Sequence, residues 1–131
     1  MSEEVIRHAK AHYDGAFMRM DARRMAFQDN TFDSCIAMDV FHHIRDEDAH
    51  PILKDIERIL TTDGRLLVTD PFKANFFTDP ISKAMQILDR GDCFRTTDEL
   101  GALLAKRFKI EKHYTERSGI SKWQIFVLSK R

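Results

Sequence analysis

Apolar residues recur along this chain with two periods, one near 3.6 residues and one near two. Val5, Ile6, Ala9 and Tyr13 share a helical face, with Glu3 and Glu4 in the first turn. They predict a helix capped by Ser2 and stopped at Gly15. Residues 16–20 (AFMRM) predict a short strand ending at Asp21, and residues 22–31 a connection with a turn at 28–30. Phe32–Met38 (FDSCIAM) predicts a buried strand followed by Asp39, and residues 39–46 an irregular segment carrying His42 and His43. Ala49, Ile52, Leu53, Ile56, Ile59 and Leu60 keep a three/four spacing, which predicts a helix with one apolar face, ended by Asp63-Gly64. Residues 65–69 predict a second buried strand, closed by Asp70-Pro71. The whole is a strand–helix–strand unit, whose ligand site normally lies at the carboxyl ends of its strands.

Beyond that unit, Asp79-Pro80 reads as an N-cap with Pro at the first helical position. Ile81, Ala84, Met85 and Leu88 supply that helix's face, and Gly91 ends it. Thr96 and Glu99 form a capping box for a helix using Leu100, Leu103 and Leu104. Residues 108–114 and 123–129 predict two closing strands, antiparallel about Ser118-Gly119 because no helix separates them. The first two strands are expected parallel and adjacent, with the closing pair on one side.

Length and composition narrow the reading. At 131 residues, 43% hydrophobic and 32% charged, residues 1–131 are expected to form a single globular domain. Lys+Arg and Asp+Glu both number 21, which gives no basis for a nucleic-acid or anionic-membrane surface. No apolar run is long enough to span a bilayer and no signal-peptide pattern opens the chain, so a cytoplasmic protein is expected. Cys35, inside an apolar run, is expected to be a buried, inert thiol.

Asp21 and Asp39 are the acids of interest, since each follows the carboxyl end of a predicted strand. A carboxylate there can accept from an amine, a ribose hydroxyl or an ammonium, or can simply be solvated or cap a helix. His42 and His43 are adjacent and diverge, and one of them is expected to be a buried hydrogen-bonding residue that shapes the loop. His8 and His12 have helical spacing but no third ligand, so no metal site is expected.

The run MDARRMAFQDNTFDSCIAMDVFHHI, followed by a helix and IERILTTDGRLLVTDPF, resembles the class I S-adenosylmethionine-dependent methyltransferases of the small-molecule type. One departure is Thr62-Asp63-Gly64, where that family usually has Pro-Gly-Gly. The resemblance implies an α/β, Rossmann-like three-layer sandwich, a truncated class I methyltransferase sheet with an antiparallel C-terminal strand pair. It implies cofactor contacts from Asp21 to the adenine amine, from the Ala22 N–H to the ring, and from Met38 and Asp39 beside the methionine part. His42 and His43 are the candidates nearest to where the methyl would sit. The acceptor implied is a small molecule.

The family's opening strand, Gly-rich loop and ribose-binding acid have no counterpart, since the glycines stand at 15, 64, 91, 101 and 119. The chain thus resembles the C-terminal two-thirds of the fold. Weak or absent S-adenosylmethionine binding by this chain alone is expected, as is an uncovered sheet edge favouring a homo-oligomer or a complementing N-terminal segment. Three readings follow: an enzyme completed by another chain or a second copy, a non-catalytic remnant acting as a binding or oligomerisation module, or a piece of an ordinary enzyme.

Overall fold

The structure is a computed structural model that describes residues 3–75, 77, 79–88, 92–118 and 121–131. The expected cap at Ser2, helix stop at Gly91 and turn glycine Gly119 lie outside the described residues. In chain order the elements are α1 (Glu3–His12), β1 (Phe32–Met38), a 3₁₀ turn (Phe41–His43), α2 (Asp46–Ile59), β2 (Leu60–Pro71), α3 (Pro80–Leu88), α4 (Thr97–Leu104), β3 (Phe108–Ser118) and β4 (Ser121–Lys130). The sheet order is β1-β2-β4-β3; β1 and β2 run parallel, and the other neighbours are antiparallel. This is the expected Rossmann-like α/β fold with an antiparallel C-terminal pair.

The core forms where helical and strand periodicities meet. The apolar face of α2 buries Ala49, Ile52, Leu53, Ile56 and Ile59. On the sheet, Leu66 and Val68 of β2 lie opposite Leu128 and Phe126 of β4, all buried. Leu100, Leu103 and Leu104 of α4 join them, held by the Thr96–Glu99 capping box. Each large apolar side chain taken from water contributes about 1.5–3 kcal/mol, which explains why helix face and inward strand positions agree. At α3, Asp79 Oδ1 accepts from the Ser82 N–H at 3.2 Å, the expected cap.

Three expectations need correction. Residues 16–20 form no strand; they run without a ladder partner, and Met18 is exposed. A strand holds only where its backbone pairs, and these five residues pair with neither edge of the sheet among the described residues. The α2 helix does not persist to Asp63-Gly64: it ends at Ile59 and passes straight into β2 at Leu60. Residues 61–64 are an excursion within the strand, since Phe32 pairs with Leu60 but Ser34 pairs with Arg65. Gly64 is required there, because a Cβ would fall 2.9 Å from the Thr61 carbonyl oxygen. Nor is β1 buried throughout. Only Ala37 is buried, and Ile36 and Met38 are 61% and 63% exposed, because β1 is the sheet's edge strand.

Candidate functional site

The carboxyl ends of β1 and β2 meet at Asp39 and Asp70. After Met38 the chain turns sharply: Asp39 has φ 60°, and its N–H donates to the Thr69 carbonyl at 2.8 Å. Aspartate is among the few residues that tolerate this left-handed backbone. The turn delivers Phe41 and His42 into the interior and leaves His43 exposed. Asp70 is fully buried; its Oδ1 accepts from the Phe41 N–H at 3.1 Å and lies 3.1 Å from His42 Nδ1. Its Oδ2 has no partner among the described residues. Burial raises the Asp70 carboxyl above the usual carboxylate range, against the opposing pull of His42.

His42 Nδ1 also lies 3.5 Å from Asp39 Oδ1. Asp39, His42 and Asp70 thus offer ligand atoms within 4.8 Å of one another, a set able in principle to hold a metal ion where the sequence predicts none. An ion there competes with the two donors already on Asp70 Oδ1. At the other end of the chain, His8 and His12 stack at 4.1 Å, with His12 Nδ1 2.9 Å from the His8 carbonyl oxygen.

Two buried polar residues hold this corner, and the sequence reading missed both. Arg95 donates to the carbonyls of Phe41 and Ile44, each at 2.7 Å, to that of Cys93 at 3.2 Å, and to Asp46. The Cys93 N–H donates to the His42 carbonyl at 2.9 Å, and the Phe94 ring stacks on His42 at 5.0 Å. Gln124 Nε2 donates to the Arg95 carbonyl at 3.0 Å, while its Oε1 has no partner among the described residues. A signal for Gln124 existed: it occupies an inward position in the alternation shared with Phe126 and Leu128. Arg95 carried none beyond standing just before a helix cap.

Asp21 and Ala22 belong to a different neighbourhood. Arg24 N–H donates to the Asp21 carbonyl at 3.1 Å, closing a turn in which both residues are exposed. Arg23 grips the Asp21 carboxylate through its backbone N–H at 2.9 Å and its guanidinium at 2.8 Å, which holds the carboxyl down at about 2. Arg58 of α2 ties the following strap down by donating to the Met25 and Phe27 carbonyls, at 2.9 and 2.7 Å. Cys35 is half-buried, and its thiol is pushed up by burial.

A cleft of about 400 Å³ opens beside Asp39, a size typical of small-molecule sites. Pro71, Phe72, Lys73, Phe94 and Trp123 line it with Asp39. Asp21, Ala22, Met38, His42 and His43 do not. Gln86 of α3 fixes one wall, donating to the Phe72 carbonyl at 2.6 Å and accepting from the Ala74 N–H at 3.0 Å.

A family profile described as a methyltransferase domain matches residues 1–68. No curated protein matches the chain. Among solved structures, a protein of Pyrococcus horikoshii OT3 is similar with a TM-score of 0.75 at 17% identity, over 99% of this chain and 68% of that one. A Thermotoga maritima protein titled a SAM-dependent methyltransferase, possible histamine N-methyltransferase, is similar with a TM-score of 0.74 at 20% identity, over 99% of this chain and 70% of that one. LepI, solved in complex with SAM, gives a TM-score of 0.73 at 16% identity; the match covers 98% of this chain and 34% of LepI. At these identities the likeness is one of fold.

Proposed function

The chain belongs to the methyltransferase-domain family, and on that premise we propose that it is a single-domain part, residues 1–131, of an S-adenosylmethionine-dependent methyltransferase acting on a small-molecule acceptor. The observation that carries the proposal is Asp39. It stands at the carboxyl end of β1, on a strained backbone, and opens onto a cleft of small-molecule size. When bound, S-adenosylmethionine supplies a methyl group activated on a sulfonium. Transfer from a sulfonium depends chiefly on alignment at near-attack distance, so a cleft that orients an acceptor meets most of the requirement.

The cofactor residues proposed are Asp21, Ala22, Met38 and Asp39, and their fit is partial. Asp39 has a half-exposed carboxylate, 3.5 Å from His42 Nδ1, with room to accept from a cofactor ammonium or hydroxyl. The Asp21 carboxylate is already held by Arg23 and must exchange that partner to read an amine. Binding by this chain alone is therefore weak; without the family's full grip on the methionine and ribose, affinity falls roughly a thousandfold. A complementing segment, or a second copy, pairs with the open edge of β1. Of the two histidines proposed to take an acceptor proton, His42 is buried under Phe94 and holds Asp70, so His43 is the more accessible. Among the described residues no helix is long and apolar enough to cross a membrane, and the two cysteines are free, which supports a cytoplasmic location.

The remnant reading has one observation in its favour: an edge strand that pairs on one side only among the described residues, with Ile36 and Met38 exposed. Calorimetric titration with S-adenosylhomocysteine separates the two. The chain alone is expected to bind in the millimolar range or not at all. Adding the N-terminal strand–loop–helix segment of a family member in trans restores micromolar binding, and Asp39→Ala removes that gain. If the segment restores neither binding nor methyl transfer across a broad acceptor panel, the remnant reading replaces this one.

A further inference from the structure

The cleft beside Asp39 has a chemical bias that methyl transfer as such does not require. Three aromatic residues, Phe72, Phe94 and Trp123, line it. Phe94 is fixed by stacking on His42 at 5.0 Å. The Phe72 backbone is held, its N–H donating to the Lys122 carbonyl at 2.8 Å and its carbonyl accepting from Gln86 at 2.6 Å. Trp123 is held in the ladder opposite Pro71. Three aromatic residues on a held backbone around one half-open cavity suit a flat apolar body.

Four charged side chains share the lining: Asp39, Asp79, Lys73 and Lys122. Asp79 is committed, since its carboxylate caps α3 through the Ser82 N–H. Asp39, at the β1 end, lies 3.5 Å from His42 Nδ1. Lys73 has Glu99 at 3.6 Å, an exposed pair of the kind that holds loosely. Lys122 forms no ion pair among the described residues and senses Asp79 only at longer range. Of the four, Lys122 is thus the one with no close side-chain partner among the described residues, and it neighbours Trp123 in the chain.

We infer that the acceptor is an aromatic carboxylic acid: its ring lies against Phe72, Phe94 and Trp123, its carboxylate is received by Lys122 with Lys73 in support, and its methyl-accepting end faces Asp39. The inference rests on the methyltransferase reading, because it names that reaction's second substrate.

Trp123 is the chain's one tryptophan, so its emission reports occupancy without any reaction. The full chain, with no methyl donor present, is titrated with 3-phenylpropionate, 3-phenylpropanamide and 3-phenylpropylamine while tryptophan alone is excited. The acid is expected to bind roughly tenfold more tightly than the amide, and the amine more weakly still. Lys122→Gln should bring the acid to the level of the amide and leave the amide unchanged. Lys122 is exposed, and an unaltered urea midpoint shows the variant folded. Equal affinities for acid and amide, tightest binding of the amine, no quenching by any of the three, or an acid insensitive to Lys122→Gln each overturn the inference. Calorimetry with S-adenosylhomocysteine keeps the two readings apart. With the N-terminal strand–loop–helix segment of a family member added in trans, failure to restore donor binding while the acid preference stays intact sinks the methyltransferase reading, and the converse sinks only the acceptor class.

Discussion

Replacing Arg95 with Met tests whether one buried guanidinium holds the site's corner together. The residue is 6% exposed, and Met fills much of its stem volume while removing every donor of the guanidinium. Two of the carbonyls it serves, those of Phe41 and Ile44, accept at 2.7 Å, and Phe41 is fully buried. Hydrogen bonds from a charged donor to buried acceptors are worth about 1.5 kcal/mol each at the low end, so the two together cost about 3 kcal/mol. Asp46 adds little, because its side chain is 68% exposed. With a urea m-value of roughly 1.5 kcal/mol/M for a domain of this size, the midpoint should fall by about 2 M. Arg95→Lys should recover only part of this, since an ammonium cannot span both carbonyls as a planar fork does. The measurement is urea unfolding followed by circular dichroism, with Asp46→Asn alongside. A midpoint for Arg95→Met within about 0.3 M of the parent, or an equal loss for Asp46→Asn, refutes the reasoning.

The other predictions concern two glycines and a buried acid. Gly64→Ala places a Cβ 2.9 Å from a backbone oxygen, so it should cost about 2 kcal/mol and lower Tm by roughly 5 to 10 °C by calorimetry. Gly101→Ala meets only ordinary contact, 3.5 Å from Phe126, and should be neutral or stabilise by about 0.5 kcal/mol through helix propensity; a lower Tm counts against the packing described. Burial raises the folded-state pKa of Asp70 above its unfolded value, so the unfolded chain ionises first as pH rises. The parent should therefore lose stability relative to Asp70→Asn from the ordinary carboxylate pKa upward through the raised one, and the two should differ least in strong acid. Urea midpoints from about pH 3 to about pH 8 that run parallel for both proteins sink this account.

Much of the architecture was legible because its signals were local. The α2 face, the Asp79 cap and the Thr96–Glu99 box each depend on residues within a turn or two, and each stands where the spacing predicts. The closing strands pair as expected, though they run longer, over 108–118 and 121–130. What failed depended on distant partners. AFMRM has a strand's composition but pairs with no strand among the described residues. Gly64 looks like a helix stop in sequence, and only pairing to β1 reveals it as the tight point of an excursion within β2. At the site, Asp39 and a buried histidine were legible from their place after a strand. Arg95 was not, because an arginine's default is solvent, and its contacts reach back some fifty residues to carbonyls that carry no side-chain signature.

The left-handed turn at Asp39 has an evolutionary side. Backbone with φ near 60° accepts Gly, Asn and Asp readily and penalises β-branched or bulky residues by about 1–2 kcal/mol. A single base change converts an aspartate codon to one for asparagine or for glycine. The fold therefore polices the shape of this position but not its charge. A lineage can discard the carboxylate and keep every strand and helix in place, so that under the function proposed above a change of chemistry at this position would leave no trace in the architecture.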